Sequence, residues 1–343
     1  MKSKKYLRPI LSLFIILGFL FVISEIGLRI LGFKPDYLAK GPSIRIEPEG
    51  GMVQPDTFIG YGNKPGKYYV HFTSDYFCIC TNDSNGFRIT RAIDDNQKYI
   101  CKPAVWILGC SNTYGWSLND WETYPYRLQS MNPEIDVVNY GVNGYGTIQG
   151  LLQLERDLKQ KPPPKIVIMA YGSLHDGRNT MNATRRKAAT VYNFLGPLVQ
   201  PYASVDKNDS LIIYKPIIIY NRVPLSKHSA LIHFVERGVN TITSSFSNSH
   251  KISQAILLKM NEICRSRQIV FIVAGIAADK KTYQMLDFCS EHGIPAIDIS
   301  VSNTSGVFCN YPYDGHPNPI ANSYYARKLH QFLHQRGYLP FTP

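Results

Sequence analysis

The sequence has no evident internal repeat. It has one paired cysteine motif, Cys78 and Cys80, but no second Cys/His pair that could complete a zinc site with it. Acidic residues are also scarce, with 25 Asp and Glu against 37 Lys and Arg, so the formal net charge is +12. Such a basic chain suggests acidic partners, for example nucleic acid, anionic lipid or acidic polysaccharide. The basic residues are scattered, however, and their short cluster at 184–187 lacks interleaved aromatic residues, which argues against nucleic-acid binding.

Cysteine is sparse, and its count of seven is odd. Cys78 and Cys80 form a C-x-C spacing, and Cys101 follows not far beyond. One disulfide among these three is plausible in an exported domain, but the sequence leaves the pairing open. Cys264 and Cys289 lie in amphipathic segments and are predicted to be buried thiols.

The N-terminus carries the clearest compositional signal, an uncharged stretch over 9–24 that continues as an apolar segment to residue 33. Glu25 and Arg29 lie one helical turn apart and can pair. A cleaved signal peptide is the rival interpretation, but no small-x-small site follows the apolar core. We therefore expect a signal anchor over 1–33, with the rest of the chain on the extracytoplasmic side because a basic flank stays in the cytoplasm. That flank consists of Lys2, Lys4, Lys5 and Arg8.

Beyond the anchor, residues 34–102 are predicted to form a linker and a small β-rich flap. Residues 103–343 then alternate apolar strands with helices, which predicts a three-layer α/β/α domain around a five-stranded parallel sheet. The predicted strands are 104–108, 136–140, 165–171, 268–275 and 294–300. An insertion at about 177–250 interrupts this alternation, and such insertions commonly carry substrate specificity.

Functional groups collect at the carboxyl ends of parallel strands. The first strand is followed by Ser111, the second by a glycine-rich turn with Gly144, and the third by His175. The fifth is followed, after a loop, by Asp314 and His316. A hydroxyl, an imidazole, a carboxylate and backbone donors are the groups that nucleophilic acyl transfer requires.

Each of these groups alone has an ordinary structural explanation. A serine after a strand is often a helix N-cap, and glycines often only form a tight turn. A lone histidine is often a satisfied core or surface residue. The shared location at one sheet edge is what favours a catalytic site.

On these residues the sequence resembles the SGNH (GDSL-type) hydrolases, particularly their bacterial membrane-anchored branch. The resemblance spans roughly 104–336, and "GLRILG", "IGYGNKPG" and "NGFR" resemble the preamble of that branch. It implies a flavodoxin-like fold in which Ser111 is the nucleophile and Asp314 and His316 complete a triad. It also implies an oxyanion hole formed by Ser111, Gly144 and the residue at position 175.

The sequence departs from the family pattern at three positions. Cys110 replaces the usual Asp of the Gly-Asp-Ser block, and His175 replaces the usual Asn of the third block. The triad spacing is Asp314-Gly315-His316 rather than Asp-x-x-His. This shorter spacing resembles the branch that moves acetyl groups onto or off exported polysaccharides.

The resemblance implies an exported, membrane-anchored serine esterase that removes an acyl group from an ester, with an O-acetylated glycan as the expected substrate. It implies no metal and no organic cofactor. An O-acetyltransferase of surface polysaccharide with the same triad is one alternative. A catalytically inactive glycan-binding or envelope-assembly module is the other, and the sequence carries no sign of an oligomeric state.

Overall fold

Helices and strands alternate along the computed structural model, which describes residues 4–36, 44–92, 102–245, 247–302 and 306–339. The helices are α1 (Lys4–Ile30), α2 (Ser111–Tyr114), α3 (Tyr124–Met131), α4 (Thr147–Gln160), α5 (Leu174–Asn179), α6 (Ala183–Ala189), α7 (Ala230–Ser245), α8 (Ser249–Ser266), α9 (Lys280–Glu291) and α10 (Pro319–Gln335). The strands are β1 (Arg45–Glu47), β2 (Val53–Asp56), β3 (Gly60–Asn63), β4 (Gly66–His71), β5 (Phe77–Asn82), β6 (Ala104–Leu108), β7 (Asp136–Asn139), β8 (Ile166–Tyr171), β9 (Leu198–Val199), β10 (Tyr202–Val205), β11 (Leu211–Tyr214), β12 (Ile217–Ile218), β13 (Val270–Gly275) and β14 (Ala296–Asp298).

The predicted five-stranded parallel sheet is confirmed, in the order β14-β13-β8-β6-β7. In chain order this is 5-4-3-1-2, the flavodoxin-like arrangement, in which the strand order reverses beside the first strand. The first strand therefore ends at the switch point, where ligands bind in such sheets. The last predicted strand, 294–300, is shorter than expected and covers only Ala296–Asp298.

Alternate residues of each strand point to opposite faces of the sheet, as strand geometry requires. Trp106 and Leu108 pack into a core with residues of α4, α8 and α9. Val105 and Ile107 pack into a second core with residues of α3 and α10. The two cores confirm the predicted three layers.

The segment predicted as a β-rich flap contains the antiparallel sheet β1-β4-β5 and the hairpin β2-β3. Its residue Arg88 is buried, and its Nε donates to Asp120 Oδ1 at 2.7 Å. The Sγ atoms of Cys78 and Cys80 lie 3.8 Å apart on β5 without a disulfide between them. Cys101 lies outside the described residues, so a bridge involving it stays a prediction.

The chain divides into two compact units. The anchor unit, so called because it contains the predicted signal anchor, consists of residues 1–41, 182–191 and 220–247. The catalytic unit, so called because it contains the predicted site residues, consists of residues 42–181, 192–219 and 248–343. The predicted insertion at 177–250 is therefore shared between both units, although the sequence pattern treats it as one segment.

Helix α1 of the anchor unit contains the stretch Pro9–Ile30, which has a mean hydropathy of 2.5. Its length and composition suit a membrane-spanning helix, and a signal sequence near the N-terminus has the same features.

Candidate active site

Ser111, His316 and Asp314 lie in one hydrogen-bonded relay. Ser111 Oγ lies 2.9 Å from His316 Nε2, and His316 Nδ1 lies 2.6 Å from Asp314 Oδ1. Ser111 is 8% exposed, and the side chains of His316 and Asp314 are also partly covered. The structure thus places side by side the three residues that the sequence predicts as a triad.

A tight turn after β6 positions Ser111. A Cβ on Gly109 would lie 2.1 Å from Thr113 Oγ1 and 3.3 Å from the Cβ of Ala170, so only glycine fits at the strand end. Ser111 then begins the short helix α2, which ends at Gly115 in the left-handed conformation. The hydroxyl is consequently held at the carboxyl edge of the sheet, where the first strand ends.

A compact loop before α10 positions the other two residues. The main chain closes it through Asp314 N to Asn310 O and Asn310 N to His316 O, both at 3.0 Å. Asn318 caps α10 by accepting from Ile320 N and Ala321 N. The loop therefore leads directly into a capped helix start, which limits movement of the imidazole.

Asp314 has a second contact that the sequence interpretation missed. Ser117 Oγ donates to Asp314 Oδ1 at 3.3 Å, and Asn310 Nδ2 donates to Ser117 Oγ at 2.8 Å. Burial opposes ionisation of Asp314, but the hydrogen bonds from His316 and Ser117 outweigh it and hold the pKa of the carboxyl below its usual value. An ionised carboxylate at this point favours the imidazole tautomer whose Nε2 can accept a proton from Ser111.

Gly144 lies in the turn after β7 with φ of +80°, a conformation that suits glycine. This turn is joined to the Ser111 segment by Val142 N to Gly109 O at 3.3 Å and by Asn139 Nδ2 to Thr113 O at 2.9 Å. Among the described residues, neither the amide of Ser111 nor that of Gly144 donates a hydrogen bond. Both amides thus lack an acceptor among these residues, and Ser111, unlike Gly144, also lines the cavity beside the nucleophile.

His175 does not lie where the sequence interpretation places it. The imidazole is 0% exposed, and its Nδ1 lies 3.3 Å from Thr147 Oγ1. It is not among the residues that line the cavity beside Ser111. Because α5 turns this side chain into the core, we correct the prediction that His175 contributes to the oxyanion hole.

The imidazole of His175 instead faces the thiol of Cys110, which is also buried. His175 Nε2 has no hydrogen-bond partner of good geometry. Burial opposes a thiolate at Cys110, but His175, Arg178 and the Asn112 amide outweigh burial and lower the pKa of the thiol to about 5. Cys110 occupies the position where the resembled family has an acid.

Asp176, the neighbour of His175, connects α5 to α8. Its carboxylate accepts hydrogen bonds from Tyr171 Oη and Ser253 Oγ, both at 2.6 Å, and lies 3.0 Å from His250 Nδ1. These contacts fix the start of α5. They indicate a structural role for Asp176.

A cavity of about 520 Å³ opens beside Ser111 and His316. One part of its wall is apolar, and Asn112, Arg178 and Asp279 add polar groups. Arg178 Nη1 also donates to Tyr145 O at 2.8 Å, next to Gly144. The sequence places Arg178 at the third strand end without a role, and the fourth strand end was missed, although the small residues after "VFIVAG" were a usable signal. The apolar wall consists of Leu174, Ile276, Ala277, Ala278 and Val301.

In the part of the chain that the structure describes, no group of three or more His, Cys, Asp or Glu side chains is arranged to hold a metal ion.

No family model matches the sequence, and no curated protein matches it. Solved structures of similar architecture include a member of the lipolytic protein G-D-S-L family from Veillonella parvula (TM-score 0.39, 12% identity, 66% of this chain and 96% of that one). A carbohydrate acetylesterase family member from Sinorhizobium meliloti has a TM-score of 0.35 and 13% identity over 69% of this chain and 100% of that one. AlinE4, an SGNH-hydrolase family esterase, has a TM-score of 0.33 and 14% identity over 70% of this chain and 98% of that one. At this level of similarity, the activity of the chain has to be inferred from its own residues.

Proposed function

We propose that this protein is a serine esterase of the SGNH type. The relay from Ser111 through His316 to Asp314, with distances of 2.9 and 2.6 Å, is the observation that carries the proposal. These are hydrogen-bond distances in the order that general-base activation of a hydroxyl requires. The relay also borders an open cavity, so a substrate can reach the hydroxyl.

In the proposed reaction, Ser111 Oγ attacks the ester carbonyl while His316 Nε2 takes the hydroxyl proton. The tetrahedral intermediate then expels the alcohol, which receives that proton from His316. A water molecule attacks the acyl-enzyme with His316 again as base, and collapse of the second intermediate releases the acid and returns the proton to Ser111. Asp314 orients the imidazole and stabilises its cationic form.

The oxyanion is held in this proposal by the amides of Ser111 and Gly144. Neither amide is used by a described residue, and Ser111 N–H begins a helix, where backbone donors are unsatisfied. Arg178 supports the same region through its hydrogen bond to the carbonyl of Tyr145. His175 has no part in this step.

We further propose a short acyl group on a carbohydrate as the substrate. The alanines and branched side chains of the cavity wall suit a small apolar group, while Asn112, Arg178 and Asp279 offer hydrogen bonds to hydroxyls. The Asp-x-His spacing resembles that of enzymes acting on exported polysaccharides. The basic N-terminal flank and apolar α1 support an anchored protein with its catalytic unit outside the cytoplasm.

The test compares Ser111→Ala with Ser210→Ala, which removes the same hydroxyl from an exposed turn. With an aryl acetate as substrate, Ser111→Ala is expected to lower kcat/KM by at least about 10⁴-fold, since loss of a triad nucleophile removes the covalent route. Ser210→Ala is expected to keep the full rate. Circular dichroism checks that both variants are folded. Equal rates for two folded variants would refute the role of Ser111.

A further inference from the structure

Helix α7 exposes an apolar face. Its residues Leu231, Phe234, Val235, Val239 and Ile242 follow one another at spacings of one to four residues and share one side of the helix. Val235 is 53% exposed and Ile242 is 59% exposed. A helix on the surface of a water-soluble domain has the opposite arrangement, with its apolar side against the core.

The buried side of α7 is polar. His233 and Glu236 are 8% and 9% exposed. Lys187 Nζ lies 3.0 Å from Glu236 Oε2 and 3.3 Å from Asp36 Oδ1, and Arg222 Nη1 lies 2.6 Å from Asp36 Oδ2. The anchor unit therefore places ion pairs inside and apolar side chains outside, which suits an apolar surrounding better than water.

The start of α7 is attached to α1. Glu25 accepts hydrogen bonds from Ser229 Oγ at 2.7 Å and from the amides of Ala230 and Leu231 at 2.9 Å, so it caps the first turn of α7. Arg29, which pairs with Glu25 at 2.6 Å, also donates to His228 O. The exposed apolar face consequently begins beside the end of the apolar stretch of α1.

Aromatic and basic groups lie at the same place. The rings of Phe33 and Phe234 meet edge to face with centroids 5.0 Å apart. Both rings line a cavity of about 340 Å³ together with the exposed cations Lys34 and Arg237. Such a mixture of rings and cations fits the headgroup level of a bilayer, where apolar chains meet phosphates.

We infer that α7 is an interfacial helix that lies in the surface of the lipid bilayer, with Leu231, Phe234, Val235, Val239 and Ile242 among the acyl chains. The inference rests on the proposed anchoring by α1. It assigns residues 220–247 a membrane role, whereas the sequence interpretation expected the whole insertion to select substrate. The bilayer is favoured over a second protein copy because the apolar face continues from α1, whose stretch Pro9–Ile30 is 0% buried.

Tryptophan reporters in the full-length chain test this placement. The chain is reconstituted into phosphatidylcholine vesicles with and without bromine on the acyl chains, which quenches nearby indole fluorescence. The reporters are Val235→Trp and Ile242→Trp on the apolar face, Asn208→Trp in the exposed turn between β10 and β11 as the control, and Phe19→Trp in α1. The unsubstituted chain supplies the background of the three native tryptophans.

We expect brominated lipid to remove roughly half of the added emission of Val235→Trp and Ile242→Trp, since the apolar face of an interfacial helix enters the bilayer by about 5–10 Å. Asn208→Trp is expected to keep its emission. Quenching of Phe19→Trp without quenching at 235 or 242 would overturn the inference and leave the anchor intact. No quenching of Phe19→Trp would overturn the anchor and the inference together.

Emission at 235 that is insensitive to brominated lipid but shifts with protein concentration would identify a second copy as the partner of this face and overturn the inference. Aryl acetate turnover, measured on the same vesicles, reports separately on the esterase proposal.

Discussion

Cys110 and His175 depart from the pattern of the resembled family separately in the sequence, but they are neighbours in the structure. Both side chains are buried, and His175 helps to lower the pKa of the thiol that precedes Ser111. The two departures therefore meet at one place, and the relay from Ser111 to His316 is still formed.

The variant Cys110→Ala tests this contact at the residue scale. It removes the thiol that faces the buried imidazole of His175, so we expect the free energy of unfolding to fall by about 2 kcal/mol. Cys264→Ala is the matched control, because burial raises the pKa of the Cys264 thiol to about 12 and keeps it neutral. Its loss is expected to cost only about 1 kcal/mol of packing.

Urea unfolding followed by circular dichroism measures both variants. Equal costs for Cys110→Ala and Cys264→Ala would show that Cys110 acts only as a small apolar residue. Cys110→Asp, which places the acid of the resembled family at this position, is expected to recover most of the lost stability.

The sequence predicted Ser111, Asp314 and His316 because each follows a strand end or loop whose position the parallel sheet determines. It could not predict the place of His175. On the short helix α5, packing against Thr147 and Tyr171 decides whether this side chain turns to the cavity or to the core. Such packing depends on contacts distant in sequence.

At the scale of the element, apolar runs between turn residues predicted the five parallel strands, since buried parallel strands are continuously apolar. Strands β11 and β12 lie in the strongly β-prone segment 210–222, whereas the short strands β9 and β10 escaped prediction. Strands β9 and β10 are only two and four residues long, so they carry no long apolar run.

The turn between β6 and α2 allows a test by glycine substitution. Gly109→Ala would push its Cβ against Thr113 and Ala170, so we expect a displaced Ser111, a loss of activity of about 10-fold or more and reduced stability. Gly62→Ala is the control, because a Cβ there meets no atom within 4 Å. Aryl acetate kinetics and thermal unfolding compare the two, and a fully active Gly109→Ala would contradict the proposed tight turn.

The contact between α3 and α10 predicts a pH dependence of stability. His330 Nδ1 and His334 Nε2 both lie 3.0 Å from Asn132 Oδ1. Burial and the neighbouring His334 lower the pKa of His330 below its usual 6.5. As the pH falls from 6.5 toward the lowered pKa of His330, the unfolded chain binds more protons than the folded chain. Acidification over this range therefore destabilises the fold.

We therefore expect the urea midpoint to fall between about pH 7.5 and about pH 5, and His330→Gln to reduce this fall. The exposed His292 lies outside this cluster, and His292→Gln is expected to leave the fall unchanged. An undiminished fall in His330→Gln would assign the effect to other groups.

At the scale of the whole molecule, the sequence could not show that the chain forms two units. The pattern of residues 230–245 predicts an amphipathic helix but not which side faces inward, since that depends on the surrounding medium. Nor does it show that residues 182–191 and 220–247 join the N-terminal segment. These pairings cross about 150 to 200 residues, beyond the reach of local patterns.

The proposed orientation makes a prediction for living cells. Protease added to spheroplasts is expected to degrade the catalytic unit, because the basic N-terminal flank keeps the start of the chain in the cytoplasm. Immunoblotting with an antibody against the C-terminal region measures the loss, and a cytoplasmic protein serves as the intactness control. A catalytic unit that resists protease until the cells are lysed would place it in the cytoplasm.

The carboxylate of Glu25 is synthesised long before the helix that it caps. Glu25 and Ser229 are 204 residues apart. At ribosomal rates, α7 leaves the ribosome about 10 to 40 s after its capping carboxylate. The N-terminal helix is therefore in place as a template before its partner exists, and proteolytic removal of that helix would leave the first turn of α7 uncapped. Maturation and folding of this region are coupled through one carboxylate.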